Sequence, residues 1–223
     1  MRVRSDRVAE GHGATSGYTL LELMIVIVIV AVVSALAVPG IINTLRENRT
    51  YQGASDIARL FRQARLDAVG RGAATAVRWQ RVGATPRGRF EMWRSPVSSC
   101  SMTNWTTAAQ PTSATLFTAL DFSQSPYQVT GGADIRAEYC SNLDVTRTVC
   151  TAGAAEMWVC YSPAGRVFWS TTGAGFTDNP TGGAVTIGGG WPFLVRRFES
   201  GAPISVSRVA FVPFGAGGAR VQQ

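Results

Sequence analysis

The chain has 223 residues and a formal net charge of +7. With 16% charged residues, 46% hydrophobic residues, 24 Gly and 10 Pro, it does not have the composition of a disordered protein. All 21 basic residues are Arg, which reads as compositional bias of the genome, and the single histidine, His12, excludes histidine-based catalysis or metal binding downstream of it.

Met1 to Gly17 is polar, with Arg2, Arg4 and Arg7 set against Asp6 and Glu10. Gly17-Tyr18-Thr19-Leu20-Leu21-Glu22 then opens an apolar stretch that continues to Val38, in which Ser34 is the only polar residue after Leu23. From Tyr18 the run is about 20 residues long, enough to cross roughly 30 Å of hydrocarbon as a helix. Glu22 is the only formal charge between Glu10 and Arg46. A carboxylate inside such a helix is costly, about 2.5–3.5 kcal/mol at the centre and less near an end, so it calls for a partner. Cleavage after Gly17 would create an α-amine on Tyr18, one helical turn before Glu22 and on the same face. A signal-peptidase site would instead follow the apolar run with small residues. Pro39, near the end of the run, removes a backbone hydrogen bond and is expected to bend the helix.

Beyond Pro39 the helix signal continues. Ala54, Ile57, Phe61, Ala64 and Ala68 recur at helical spacing as an apolar stripe, and Gly70 and Gly72 supply a stop, so one helix is expected from about Tyr18 to Val69. Removing the leader and the span leaves about 180 residues, enough for one core-forming domain. Eleven Arg face four acids between Arg46 and Arg94, whereas seven Arg balance seven acids from Ser95 onward. The basic excess therefore belongs to the juxtamembrane helix and first strands, as a solvated face beside anionic lipid or a dock for acidic neighbours or nucleic acid.

Strand patterns follow. Thr75–Val82 and Arg89–Arg94 flank a turn, and Glu156–Tyr161 and Arg166–Ser170 flank Ser162-Pro163-Ala164-Gly165, which gives two hairpins. Phe193–Phe198 and Ile204–Val212 read as closing strands, and the tail from Gly215 to Gln223 as one more. Ser95–Thr115 and Gly173–Gly190 read as irregular. Trp79, Trp93, Trp105, Trp158, Trp169 and Trp191 lie in or beside strands and are expected as core or sheet-face filler. Four cysteines allow three pairings, and the sequence does not choose among them. The arrangement favoured is Cys140–Cys150 closing a loop and Cys100–Cys160 tying a loop to a strand. Neither a Walker loop nor a dinucleotide fingerprint occurs, and Gly188-Gly189-Gly190 lacks the Lys that phosphate binding needs. No catalytic residue, metal site or cofactor is expected.

The glycine, the aromatic residue, Thr-Leu-Leu-Glu and the long apolar run closely resemble the class III signal of type IV prepilins and pseudopilins. The resemblance implies that a prepilin peptidase cuts after Gly17 and methylates Tyr18, that Glu22 pairs with a neighbouring subunit's N-terminus, and that Pro39 is the helix-bending proline. The family's usual first mature residue is Phe, so Tyr18 is a departure. The resemblance also sets the orientation, with the head beyond the membrane in the bacterial periplasm, where disulfides persist. The leader's small positive charge agrees with that, although the basic segment beyond the span pulls the other way. Arg62-Gln-Ala-Arg-Leu-Asp-Ala-Val-Gly-Arg-Gly72 and Tyr161-Ser-Pro-Ala-Gly-Arg-Val167 resemble the helix end and a hairpin of H-type minor pseudopilins of type II secretion and related minor pilins of type IV pili.

The expected architecture is α+β: leader 1–17, transmembrane half-helix 18–39, amphipathic half-helix 40–72, and a β-rich periplasmic head 73–223 in which the helix packs on antiparallel sheet. Expected partners are other minor and major pilins or pseudopilins through the N-terminal helix, the prepilin peptidase and the inner membrane. The alternative is a DNA-binding minor pilin of FimT type acting in natural transformation. The DNA contact of such proteins resembles a C-terminal Gly-Arg-x-Arg, which Gly218-Ala219-Arg220-Val221 fails to match. Arg196, Arg197, Arg208 and Arg220 are the candidate patch for an anionic partner.

Overall fold

The computed structural model describes residues 18–83, 87–100, 105, 114–129, 133–144, 150–171, 175–178, 189–214 and 218–222. The expected leader 1–17, and with it Gly17 and His12, lies outside the described residues, as does most of the Ser95–Thr115 excursion. The chain divides into two compact units, Met1–Thr44 and Leu45–Gln223. The division between units therefore falls a few residues after Pro39.

One α-helix, α1, runs Leu20–Arg71. It starts and ends two residues later than the apolar pattern alone indicates, and it continues through Pro39. Within the first unit, Leu20–Ala37 has a mean hydropathy of 2.9 and none of it is buried, so by length and composition it can cross a membrane.

In the second unit the helix is amphipathic. Ala54, Ile57, Ala58, Leu60, Phe61, Ala64 and Ala68 are all buried, which includes the whole stripe read from the sequence. Small residues at four of these seven positions let the helix lie close to the sheets. Gly72 follows the helix with φ 66°, the left-handed conformation that ends helices and favours glycine.

The strands are β1 (Thr75–Gln80), β2 (Arg89–Arg94), β3 (Thr115–Asp121), β4 (Gln128–Val129), β5 (Ala133–Leu143), β6 (Cys150–Ala152), β7 (Glu156–Tyr161), β8 (Val167–Ser170), β9 (Gly190–Glu199), β10 (Ala202–Pro213) and β11 (Arg220–Gln222). They form two sheets rather than one. The first has the order β3-β2-β1-β7-β8, and the second β11-β10-β9-β5-β4 with β6 on β5. All pairings are antiparallel. The class is α+β, with a helix and antiparallel sheets as in the pilin-like fold.

One core joins the helix stripe to the inner faces of both sheets. Val77, Trp79, Phe90 and Met92 come from the first sheet, and Tyr139, Phe193, Val195, Ala210 and Val212 from the second. Phe61 stacks on Phe193 at 5.4 Å and meets Phe90 edge-on at 6.2 Å, so a single helical aromatic touches both sheets. The buried Trp79 indole N–H donates to the Ala137 carbonyl at 3.2 Å, which ties β1 to β5. Gly88 is needed beside this contact. Its φ is 74°, and a Cβ there would lie 2.2 Å from the Ala137 oxygen.

A second cluster covers the other face of the first sheet. Ala74 and Ala76 leave a trough that Trp105, Trp158 and the Cys100–Cys160 disulfide fill. The polar excursion is thus anchored by a covalent bond and a buried tryptophan, neither of which leaves a periodic signal. β9 extends through Pro192, where a sequence reading stops it. Its pairing with β5 reaches only Phe193, so Pro192 lies where β9 has a single neighbour, β10, and the missing N–H breaks no ladder on the β5 side.

Candidate functional site

The N-terminal segment is built around Thr19. Its Oγ1 accepts the Glu22 backbone N–H at 3.2 Å, and its carbonyl accepts the Leu23 N–H at 3.2 Å. Thr19 is therefore the N-cap and Glu22 the third helical residue, in the Thr-x-x-Glu spacing of a capping box. That signal was present in the sequence, and it places Tyr18 outside the helix instead of at its first turn. Tyr18 is 84% exposed. Glu22 sits in the first turn, where the amide dipoles favour a negative charge.

Both disulfides occur in the pairing favoured from sequence. Cys100–Cys160 spans 60 residues and links the Ser95–Cys100 segment to β7, and Cys140–Cys150 spans 10 residues and staples β5 to β6.

Strand alternation divides the four candidate arginines. On β9, Phe193 and Val195 face the helix-side core whereas Leu194 faces the opposite side, so Arg196 and Arg197 point to opposite faces. Arg196 binds Glu138 at 2.7 Å and, with Arg136, flanks the Phe198 ring. Arg197 is 6% exposed and binds Glu199 at 3.2 Å. Arg208 pairs across from Val195, on the core side, while Arg220 lies over Phe211 at 5.5 Å on the opposite face. The arrangement does not gather the four into one surface.

At the end of α1, Asp67 ties the helix into the head. Its carboxylate accepts Arg94 Nε at 3.0 Å, the Thr75 hydroxyl at 3.0 Å and Arg71 Nη1 at 3.3 Å, and a second bond from Arg94 completes a bidentate pair. Burial by itself would raise its pKa, but the bonds from Arg94, Thr75 and Arg71 outweigh it and hold the carboxyl below the ordinary 3.8. The motif around Arg62–Gly72 thus contains the residue that fastens helix to sheet. Tyr161–Val167 forms the expected hairpin: Ser162 N–H donates to the Arg166 carbonyl and Gly165 N–H to the Ser162 carbonyl, each at 2.9 Å.

Burial pushes the Tyr139 phenol up to about 12, and it pushes Tyr127 and Tyr161 up as well. For Tyr127, the hydrogen bond its hydroxyl donates to Asp56 at 2.7 Å adds to the rise. These phenols stay protonated near neutral pH and act as packing and hydrogen-bonding groups. A cleft of about 570 Å³ beside this pair is lined by Arg49, Gln52, Asp56 and the Ser125–Gln128 segment. Among the described residues, no group of three or more His, Cys, Asp or Glu is placed to hold a metal ion.

Residues 14–38 match the family model of the prokaryotic N-terminal methylation motif. With the apolar helical stretch Leu20–Ala37 that it contains, the motif indicates a type IV pilin-like protein. No curated protein and no solved structure gives a significant match to the chain. Proteins that carry this motif are structural rather than enzymatic. Assembly with other pilins and cleavage by a prepilin peptidase are general properties of pilin-like proteins, and the apolar helix of this one points to a single-pass membrane anchor.

Proposed function

We propose that this pilin-like protein is a minor pseudopilin or minor pilin, a structural subunit that assembles into or primes a type II secretion pseudopilus or type IV pilus. The reading rests on one observation above all: the segment that matches the methylation motif contains an exposed apolar helical stretch, Leu20–Ala37, whose only charge is Glu22 in the first turn. An anchor with no further task gains nothing from that carboxylate. A helix that leaves the bilayer to pack beside its neighbours can pair the carboxylate with the free amine of another subunit's Tyr18. The resemblance of Arg62–Gly72 and Tyr161–Val167 to H-type subunits supports the minor-subunit assignment. Two disulfides suit a head held in the periplasm by a single pass through the inner membrane.

Mass spectrometry of membrane-extracted protein should show an N-methylated Tyr18 as the first residue. A Met1 terminus, or cleavage after Val38, refutes this reading. Glu22→Ala should insert at wild-type levels, because it removes a charge from the span, yet be lost from the sheared filament fraction. Wild-type incorporation of the variant removes the pairing role.

A further inference from the structure

We propose that Thr19 is a positioning residue for N-terminal processing: by capping α1 it fixes where the helix starts and keeps the peptide bond that is cut outside it. The inference rests on the proposed cleavage after Gly17, in which water adds to the Gly17 carbonyl, the C–N bond breaks, and Tyr18 leaves as a free amine. It goes further by naming what keeps that bond accessible.

The cap is specific in its geometry. The first backbone N–H groups of any helix lack intrahelical acceptors, and that of Glu22 is one of them. In the structure the Thr19 hydroxyl accepts it at 3.2 Å. Tyr18 and Thr19 are accordingly not helical, although an apolar run begins immediately behind them. Without the hydroxyl, the Glu22 N–H has another way to be satisfied. If α1 extends by one step toward the N-terminus, the Tyr18 carbonyl takes the place of the Thr19 hydroxyl in the ordinary i to i−4 pattern. Near hydrocarbon that substitution is strongly favoured, because an unsatisfied amide is costly there. The next residues upstream with a short hydroxyl side chain able to cap a helix are Ser16 and Thr15. A helix capped at Ser16 would contain both residues of the bond to be cut, whereas an endopeptidase binds its substrate extended. Thr19 therefore keeps Tyr18 outside a helix that would otherwise draw it in.

The test is a pulse-chase of the full chain in membranes that carry a prepilin peptidase, with wild type, Thr19→Val, Thr19→Ser and Thr19→Asn. Valine keeps the branched shape but accepts no hydrogen bond. Its precursor should insert normally and be processed about fivefold more slowly, the equivalent of ~1 kcal/mol typical for a lost N-cap. Serine should restore the rate. Asparagine is among the best N-caps but carries no hydroxyl, so it should also restore at least half the wild-type rate. If Thr19→Asn is as slow as Thr19→Val, the peptidase reads the hydroxyl itself and the positioning role is overturned. An unchanged or faster rate for Thr19→Val overturns it as well. A wild-type chain that is never cut after Gly17 fails at the earlier step and identifies the cleavage reading as the fault.

Discussion

Asp67→Asn should loosen the end of α1 from the first sheet, and the loss can be worked out from the contacts. Asp67 has 11% of its side chain exposed and holds Arg94, Arg71 and Thr75 at once. Asparagine keeps the shape and one acceptor, so the buried Thr75 hydroxyl still finds a partner. What disappears is the charge that binds the two guanidinium groups. Arg94 is 26% and Arg71 38% exposed, so both regain some water and the full penalty of an orphaned buried ion does not apply. A loss of about 2–3 kcal/mol is expected from hydrogen bonds to a charged group of this kind. For a domain of this size that is roughly 5–10 °C in Tm. The assay is thermal unfolding of a soluble head beginning at Asn43, which should fold by itself, at several pH values. Because the folded-state pKa of Asp67 lies below its unfolded value, its contribution is fully present above about pH 4 and is lost as pH falls through the folded pKa. The gap between wild type and variant should therefore be constant from about pH 5 to 7 and close below pH 4. A Tm change under 2 °C at pH 7, or a gap that persists at pH 2, would refute this account.

Replacing Cys100 and Cys160 by Ser should cost more stability than replacing Cys140 and Cys150. The loop-entropy model gives about 4 kcal/mol for the 60-residue closure against about 3 for the 10-residue one; equal losses in urea titrations would contradict this. Gly53→Ala should destabilise the head by about 1–2 kcal/mol despite the better helix propensity of alanine. A Cβ there meets the buried Phe122 ring at 3.0 Å, and that ring stacks on Tyr127 and has little room to move; a raised Tm would show that it yields. Arg196→Gln should lower Tm by stranding Glu138 but leave DNA retention unchanged. Binding of DNA to the head should be salt-sensitive and weaker than micromolar near 150 mM salt; submicromolar affinity there that falls on neutralising Arg196, Arg197, Arg208 and Arg220 would favour the DNA-uptake alternative.

Local patterns in the sequence carry a good part of the molecule. The apolar run, the Ala54–Ala68 stripe and the glycines that follow define α1 to within two residues, because a helix is specified by neighbours three and four apart. The Ser162–Gly165 turn between β7 and β8 is legible for the same reason. Even Thr19 is marked, since Thr-x-x-Glu is a local signature of a helix start. The motif that indicates the family is likewise contained in one contiguous segment.

What lies beyond local pattern was decided by packing. β3 and the eleven-residue β5 do not stand out by alternation. β3 is an edge strand with much of its surface exposed, and β5 is defined by its partners β9, β4 and β6. The division into two sheets depends on which strands bury Phe61 from either side, a choice between contacts distant in sequence. The four arginines illustrate the same limit. Their clustering along the chain suggests a patch, yet adjacent strand residues point to opposite faces, and Arg196 is engaged by Glu138 from another strand. A sequence records the period of each element and the residues that cap it. Which face meets which partner is set by long-range burial of apolar surface, which no short window of the chain contains.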